Sequence, residues 1–418
     1  EITEKAIKNA ISNPTIINMD IVYAQQGRQI LDLIVGFKIT PLLWSHIVAN
    51  TKNSLSAGRC QTPALRLVYN NYKEILDSPG KMSFNTSGYF TSKNINFTLN
   101  KNHDENESII NFLNKSIDFK HKLTKEKEKQ ITRSPPLPFT TSSLQQSSNN
   151  NLHISPKETM SLAQKLYEGG YITYMRTDSK VYSEEFVNKT KDYIIANYNS
   201  SYINKNIESL IQGNNTNTEI SETKSNKKSN NKKDKKDKKD NFAQEAHEAI
   251  RPTNINIETI PNNEDIFTAK HRKLYKLIWT NTIESLMDDA VYNQIVAKIS
   301  APDNLFYKYI AEENIFPGWK VINGIEEDKF YKFILNFKEA IIKYNKLISK
   351  ESLKDLKLHY TEAKLVQLLE QKGIGRPSTF STLIEKIQER DYVKKQDEKG
   401  KKINIKDYVL EDEKISEE

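Results

Sequence analysis

The sequence of 418 residues has one cysteine, Cys60, and no apolar run near the length of a membrane span. A single cysteine excludes an intrachain disulfide and any zinc site built from several cysteines. A spanning helix needs about 20 apolar residues, so we expect no contact with a membrane. The opening residues lack the apolar core of a secretory signal and an initiating Met. We therefore expect an intracellular protein whose sequence here starts inside its gene.

Charge of one sign is concentrated in one short segment. The formal net charge is +8, and residues 224–240 contribute +6 of it through nine lysines and three aspartates. The remaining chain is nearly neutral, so its charge permits a nucleic-acid partner without arguing for one. The Asn- and Lys-rich stretch at about 199–240 predicts a disordered insert. A solvated insertion and a contact to phosphates both explain it.

Helical patterns occupy both ends of the chain. Residues 1–75 predict helices over residues 20–37 and 62–76, with a fresh helix start at Pro41. Residues 358–395 predict two more helices, joined by a turn that contains GRPST.

Two β-rich blocks interrupt the helical pattern. In residues 80–131 and again in 286–340, polar residues alternate with aromatic or β-branched ones, which predicts short antiparallel strands. Because a mainly helical block separates them, we expect one β domain with a helical domain inserted into it.

Residues 155–179 are the most informative stretch. Ser155 begins a predicted helix as its N-cap, with proline at the first helical position, and a pair of glycines ends it. The sequence YITYMRTDS then favours an extended strand. Residues two apart on a strand point to the same face, so Tyr174 and Arg176 are expected to project together.

A tyrosine beside an arginine suits chemistry on a phosphodiester. The tyrosine hydroxyl has an ordinary pKa near ~10, and a neighbouring guanidinium can lower that pKa and also bind a phosphate. Attack by tyrosine on a phosphodiester gives a phosphotyrosine ester, which conserves the bond energy of the cut strand. Taken alone, the pattern fits a half-buried core tyrosine at least as well.

Three further motifs could bind phosphate. In residues 246–253 a helix would place His247 and Arg251 four apart on one face. Residues 56–62 and 373–379 each join small residues and one arginine at a helix start, where backbone N–H groups bind anions. Each motif also fits a plain helix end or turn.

Together these motifs resemble the type IA DNA topoisomerases, in their bacterial topoisomerase I branch. The matching stretches follow the family's order: AQQGRQILDLIVGFKITPLLW (24–44), SAGRCQTPALRLV (56–68), PPLPFTTSSLQQ (135–146), AQKLYEGGYITYMRTDS (163–179), AHEAIRPT (246–253), LYKLIWTNTIESLMDDAVY (274–292) and YTEAKLVQLLEQKGIGRPSTFSTLIEKIQERDYV (360–393).

The resemblance implies an enzyme that cuts one DNA strand, passes the other strand through the break and reseals it, relaxing negatively supercoiled DNA without ATP. Tyr174 maps to the nucleophile that forms a 5′-phosphotyrosine, and Arg176 and His247 complete the expected catalytic set. The expected contacts to single-stranded or underwound DNA are Arg28, Asp32, Phe37, Arg59, Gln61, Asp178, Arg251, Arg376, Ser378 and Thr379.

The implied fold class is multidomain α+β, a torus with helical domains and a β-rich arch. The expected domains are a helical DNA-binding domain in two parts (1–80 and 341–418), the arch in two parts (81–131 and 286–340) and a helical domain with the catalytic tyrosine (132–285).

The family's N-terminal Toprim domain, whose acidic residues bind Mg²⁺, has no counterpart in these stretches. We expect it in cis or in trans, no metal or cofactor bound by this chain itself, and no activity of this chain alone. A monomer in the cytoplasm, associated with the nucleoid in a bacterium, is the expected state. The alternatives are a non-catalytic torus that binds single-stranded DNA, and a member of the topoisomerase III or reverse gyrase branch.

Overall fold

The computed structural model describes residues 4–14, 16–47, 54–212, 248–261, 266–400 and 402–418. The α-helices within them are α1 (Glu4–Ser12), α2 (Met19–His46), α3 (Gln61–Asp77), α4 (Asn106–Ile117), α5 (Thr141–Leu152), α6 (Pro156–Glu168), α7 (Glu184–Asn197), α8 (Ala269–Leu286), α9 (Tyr331–Asn336), α10 (Glu362–Gln371) and α11 (Phe380–Glu389). The strands are β1 (Lys81–Phe90), β2 (Ile95–Leu99), β3 (His121–Lys125), β4 (Lys129–Arg133), β5 (Ala290–Ser300), β6 (Phe306–Phe316), β7 (Ala340–Ile342), β8 (Tyr344–Lys354), β9 (Tyr408–Glu411) and β10 (Lys414–Glu417).

The chain divides into two compact units, and each is assembled from three sequence segments. The helical unit contains Glu1–Val68, Pro136–Leu286 and Tyr360–Lys395. The sheet unit contains Tyr69–Pro135, Met287–His359 and Gln396–Glu418. The α+β fold class expected from the sequence is confirmed. The torus and the domain boundaries stay predictions.

The sheet unit is built on one antiparallel sheet in the order β10-β9-β8-β1-β2-β6-β5-β3-β7, with β4 paired to β5. Its buried face is strongly aromatic, with Phe84, Phe90, Phe97 and Tyr307 fully buried. Such rings bury large apolar areas, and their packing fixes the register of the strands. The β-rich character predicted for the two interrupting blocks is therefore confirmed.

Two segments that the sequence assigned to the helical end of the chain lie in the sheet instead. Strand β8 pairs with β1 from Lys81 opposite Lys354 to Phe90 opposite Tyr344. The acidic C-terminal residues form the β9–β10 hairpin, which pairs with β8. Strand β8 therefore has hydrogen-bonded partners on both sides, β1 and β9. Pairing between segments so far apart in the sequence satisfies their backbone groups but leaves no local sequence pattern.

Helices α3, α10 and α11 form one of the apolar cores of the helical unit. The N-terminus of α10 is capped by Thr361, whose hydroxyl accepts from the N–H of Lys364. The buried residues of this core are Ala64, Leu365, Val366, Leu369, Phe380, Ile384 and Ile387. These residues recur at helical spacing, which is why the sequence predicted both terminal helices. The start predicted at Pro41 is wrong, because α2 runs through it as one continuous helix.

Helix α2 is long, apolar and uncovered. None of its side chains is buried, although much of its surface is hydrophobic. One face lies along the segment before α3, where the indole N–H of Trp44 donates to Leu55 O (2.7 Å) and the N–H of Ala57 donates to Thr40 Oγ1 (3.2 Å). In the part of the chain that the structure describes, no helix is long and apolar enough to cross a membrane. Contiguous exposed apolar surface of this kind is a feature of interaction sites.

The sheet unit should lose stability in mild acid. His121 is buried, and burial lowers the pKa of its imidazole below the ordinary value of 6.5. The unfolded chain then takes up the proton first as the pH falls, so stability is present above about pH 6.5 and is lost below it. Urea unfolding between pH 8 and pH 5 should show this loss, and His121→Asn should reduce it. His359→Asn, at an exposed position of the same unit, is the matched control.

Candidate active site

The segment that follows α6 presents Tyr174 and Arg176 to solvent. Tyr174 is 40% exposed, and Arg176 is also exposed. The residues between and after them, Met175, Thr177 and Ser179, are buried. The segment is not the regular strand that the sequence predicted, but its side chains alternate in burial as a strand's would.

Helix α6 leads directly to this segment. The hydroxyl of Ser155 accepts from the N–H of Glu158 and caps the N-terminus of α6. Gly169 is the C-cap, and Gly170 follows with φ +77°, a conformation that favours glycine. The chain then turns back so that the ring of Tyr174 contacts the α6 ring of Tyr167 edge-on, with centroids 5.4 Å apart. The tyrosine is therefore supported on one side while part of it remains accessible.

The second predicted motif lies beside the tyrosine segment. The N–H of Thr173 donates to Arg251 O (2.9 Å), and the N–H of Thr253 donates to Tyr171 O (3.0 Å). Residues 248–253 form no helix, so the expected helical face shared with His247 is wrong for them. His247 itself lies outside the described residues. The backbone pairing nevertheless places residues 249–253 of this motif beside the segment that leads into Tyr174.

The Arg251 side chain is buried and bonded within the protein. Its Nε donates to Glu248 Oε2 at 2.5 Å, its Nη1 donates to Pro252 O at 3.0 Å, and its guanidinium lies 4.0 Å from the ring centre of Phe186. Only 9% of the residue is exposed. The predicted contact of Arg251 with DNA is not tested, but this geometry favours a structural role for the side chain.

The predicted residues near α2 form an exposed charged pair. Arg59 binds both carboxylate oxygens of Asp32, with Nε 2.9 Å from Oδ1. The hydrogen bond from Arg59, with a smaller contribution from Arg28, lowers the pKa of Asp32. Phe37 is 76% exposed on the same helix. Helix α2 and the turn before α3 therefore offer arginines and exposed aromatic rings, which are groups that bind unpaired nucleotides.

The two predicted phosphate turns differ in what they expose. Gln61 is buried, and its amide donates to Ser56 O at 3.2 Å, so the side chain closes the turn itself. In the other turn, Arg376 and Ser378 are exposed, and the N–H of Arg376 donates to Thr379 Oγ1 at 2.9 Å. The second turn therefore keeps its arginine and serine available for a ligand.

Carboxylates of the described residues do not assemble a metal site. Among these residues, no group of three or more His, Cys, Asp or Glu side chains could hold a metal ion. Asp178 is exposed after the tyrosine segment, two residues beyond Arg176.

Sequence reasoning missed three residues that bond around the site: Thr141, Thr173 and Glu248. Thr141 belongs to the stretch PPLPFTTSSLQQ, which carried part of the resemblance but received no role. The only local signal of a role for Thr141 is a threonine at a predicted helix start. Its hydrogen-bond partners lie more than thirty positions away in the sequence, so no local pattern identifies them.

Known DNA topoisomerases are similar to this chain over most of its length. The sequence model of the DNA topoisomerase family matches residues 16–407. The chain belongs to the type IA DNA topoisomerase family, in its bacterial branch. It is 36% identical over 405 residues to DNA topoisomerase 1 of Buchnera aphidicola from Acyrthosiphon pisum, covering 94% of this chain and 43% of that protein. Its identity to DNA topoisomerase 1 of Escherichia coli is 32%, with the same coverage of both chains.

A solved structure shows the same topoisomerase fold. Full-length topoisomerase I from Thermotoga maritima matches with a TM-score of 0.72 and 29% sequence identity, over 95% of this chain and 61% of that one. The chain spans about half the length of the curated relatives that it matches.

Proposed function

We propose that this chain is the strand-cleaving core of a DNA topoisomerase that relaxes negatively supercoiled DNA. The observation that carries the proposal is the exposure of Tyr174 and Arg176 on a segment whose intervening residues are buried. A nucleophile must reach the scissile phosphate while its backbone stays fixed, and this arrangement supports both requirements.

The proposed reaction is a reversible transfer of a phosphoryl group. The Tyr174 hydroxyl gives up its proton as its oxygen bonds to phosphorus, the bond from phosphorus to the 3′ oxygen breaks, and that oxygen takes up a proton, so the step consumes no net proton. The 5′-phosphotyrosine preserves the energy of the bond, so the 3′ hydroxyl can attack it and reseal the strand. Arg176 is suited to bind the scissile phosphate, and His247 is proposed to contact the same phosphate.

The remaining predicted residues are proposed to bind the DNA strand. Arg28, Arg59 and Arg376 offer exposed guanidinium groups for the phosphates, and Phe37 offers a ring on which a base can stack. The roles proposed for Asp32, Gln61, Asp178, Arg251, Ser378 and Thr379 follow from the resemblance alone. A contact with DNA has the least structural support for Gln61 and Arg251, because their side chains are buried.

A Toprim domain, in cis or in trans, is the proposed source of Mg²⁺ and of the acid that protonates the leaving oxygen. The exposed apolar surface of α2 supports this proposal, since it offers a face for a neighbouring domain. A monomer in the nucleoid-associated cytoplasm is proposed as the working state. The curated relatives cited above are all named DNA topoisomerase 1, which supports that branch over topoisomerase III and reverse gyrase.

Plasmid relaxation tests this function. The purified chain with Mg²⁺ should leave a negatively supercoiled plasmid unchanged, and adding the metal domain of a bacterial relative should restore relaxation. Relaxation by the chain alone would contradict the need for that domain. Tight binding of single-stranded DNA with neither relaxation nor a covalent adduct in the mixture would favour the alternative, a non-catalytic binding module.

A further inference from the structure

The backbone on both sides of Tyr174 is fixed by the same three-bond arrangement, made each time by one threonine. We call this set of three hydrogen bonds a threonine clamp, and the two threonines that form one are Thr141 and Thr173. In each, the threonine N–H donates to a carbonyl oxygen of the partner segment, its Oγ1 accepts from the N–H of that same partner residue, and its hydroxyl donates to the carbonyl two residues earlier.

The clamp of Thr141 binds the peptide groups on either side of Arg176. The N–H of Thr141 donates to Thr177 O at 2.9 Å, and its Oγ1 accepts from the N–H of Thr177 at 2.8 Å. The hydroxyl donates to Met175 O at 2.7 Å. The bonded groups belong to the peptides before and after Arg176, so this one side chain restricts the backbone dihedral angles of the arginine.

The clamp of Thr173 repeats the arrangement one residue before the tyrosine. The N–H of Thr173 donates to Arg251 O at 2.9 Å, and its Oγ1 accepts from the N–H of Arg251 at 3.1 Å. The hydroxyl donates to Ala249 O at 2.9 Å. Both chain neighbours of Tyr174 are therefore bonded, Thr173 in this clamp and Met175 in the other.

Burial makes the first clamp difficult to replace. Thr141 is fully buried, and Thr177 and Met175 are almost completely buried. Without the hydroxyl, a carbonyl oxygen and an N–H would lose their partner in a place where water has little access. Buried backbone groups are strongly disfavoured without hydrogen bonds, so the segment would have to shift to recover them.

We propose that Thr141 and Thr173 are positioning residues for the cleavage reaction, acting through the backbone to aim Tyr174 and Arg176 at one phosphate. The inference rests on the proposed function, since it assigns these residues to that same site. Neither threonine touches the DNA in this scheme. The two threonines fix the positions of the Tyr174 and Arg176 backbone before the DNA strand binds.

The test compares valine and serine at position 141. Valine keeps the shape of threonine and removes the hydroxyl, whereas serine keeps the hydroxyl. With the metal domain of a bacterial relative supplied, Thr141→Val should form the adduct with a 3′-labelled single-stranded oligonucleotide about 10²-fold more slowly, a loss typical of a misplaced reacting group. Thr141→Ser should stay close to the wild-type rate, and Thr173→Val should show a smaller loss.

Control measurements separate positioning from general damage. Thr190 is also fully buried, but its hydroxyl donates to Phe186 O within α7, so Thr190→Val should leave the adduct rate unchanged. The dissociation constant for the oligonucleotide should stay the same in Thr141→Val. Amide hydrogen exchange of Thr177 should become faster in that variant and not in Thr141→Ser.

The outcomes distinguish this inference from the function on which it rests. A wild-type rate in Thr141→Val would overturn the positioning role and leave the proposed function intact. Equal losses in the serine and valine variants would also overturn it, because the hydroxyl would not be the cause. A wild-type chain that forms no adduct with the metal domain present would overturn the proposed function and the positioning role with it.

Discussion

Replacing Tyr174 with phenylalanine should abolish the covalent protein–DNA adduct. Phenylalanine keeps the ring contact with Tyr167 but lacks the oxygen that bonds to phosphorus. Loss of a nucleophile leaves no alternative route to the adduct, so we expect a fall on the order of 10³-fold or more. The measurement is detergent-resistant transfer of label from a single-stranded oligonucleotide to the chain, with the metal domain of a relative supplied.

The position of the label tests the chemistry as well as the residue. A 5′-phosphotyrosine holds the downstream fragment, so a 3′ label should move to the protein and a 5′ label should appear on a shorter free strand. Tyr167→Phe is the matched control, because it removes the neighbouring hydroxyl and should keep the adduct. An adduct of normal yield in Tyr174→Phe would mean that another residue attacks the DNA.

Removing the charge of Arg251 should destabilise the helical unit severely. The side chains of Arg251 and Glu248 are only 11% and 8% exposed, so the ion pair is buried. Arg251→Met would leave the Glu248 carboxylate buried without its cation. Breaking a buried pair in this way costs about 3–5 kcal/mol of the free energy of unfolding. Urea unfolding at pH 7 measures the cost.

A surface pair serves as the control for this variant. Lys189 and Glu185 form an ion pair across one turn of α7, and their side chains are 66% and 74% exposed. Lys189→Met should cost at most about 0.5 kcal/mol. A similar small cost in Arg251→Met would show that the buried pair is unimportant for stability.

The pH dependence of the Arg251 variant should reverse in sign. Burial favours a higher pKa of Glu248, but in the wild type the bonds from Arg251 and Ser183 outweigh it and hold the pKa below the ordinary 4.5. That contribution to stability is present above about pH 4.5 and is lost as the pH falls further. In Arg251→Met only the bonds from Ser183 still oppose burial, so the pKa of Glu248 should rise and the stability deficit should shrink as the pH falls from 7. The double variant with Glu248→Gln should recover part of the loss at pH 7.

Short-range patterns in the sequence were enough to predict the helices that begin at Ser155 and Thr361. The capping hydroxyl, the proline at the first turn of α6 and the glycines after each helix act over a few residues, so their effect is visible locally. Pro41 shows the limit of such signals. Helix α2 continues through the proline for only five residues, to His46, after a long helical stretch that begins at Met19.

The alternation of burial around Tyr174 was also predictable, and the reason for it was not. The spacing of Tyr174 and Arg176 determined that they share a face. The segment forms no ladder with a neighbouring strand, and its bonds come from residues more than thirty positions before it and more than seventy after it. Contacts at such separations leave no periodic signal in the sequence.

The sequence by itself determined the order of the motifs, the resemblance that they carry and the residue types available for chemistry. The tertiary structure decided how those residues are used. It buried the ion pair of Arg251 and Glu248 and left the ion pair of Arg59 and Asp32 exposed to solvent. It also placed the hydroxyl of Thr141 on the peptide group that precedes Arg176. The physical reason is that burial determines whether a polar group must find a partner within the fold or remains available to a ligand, and burial is a property of the whole fold.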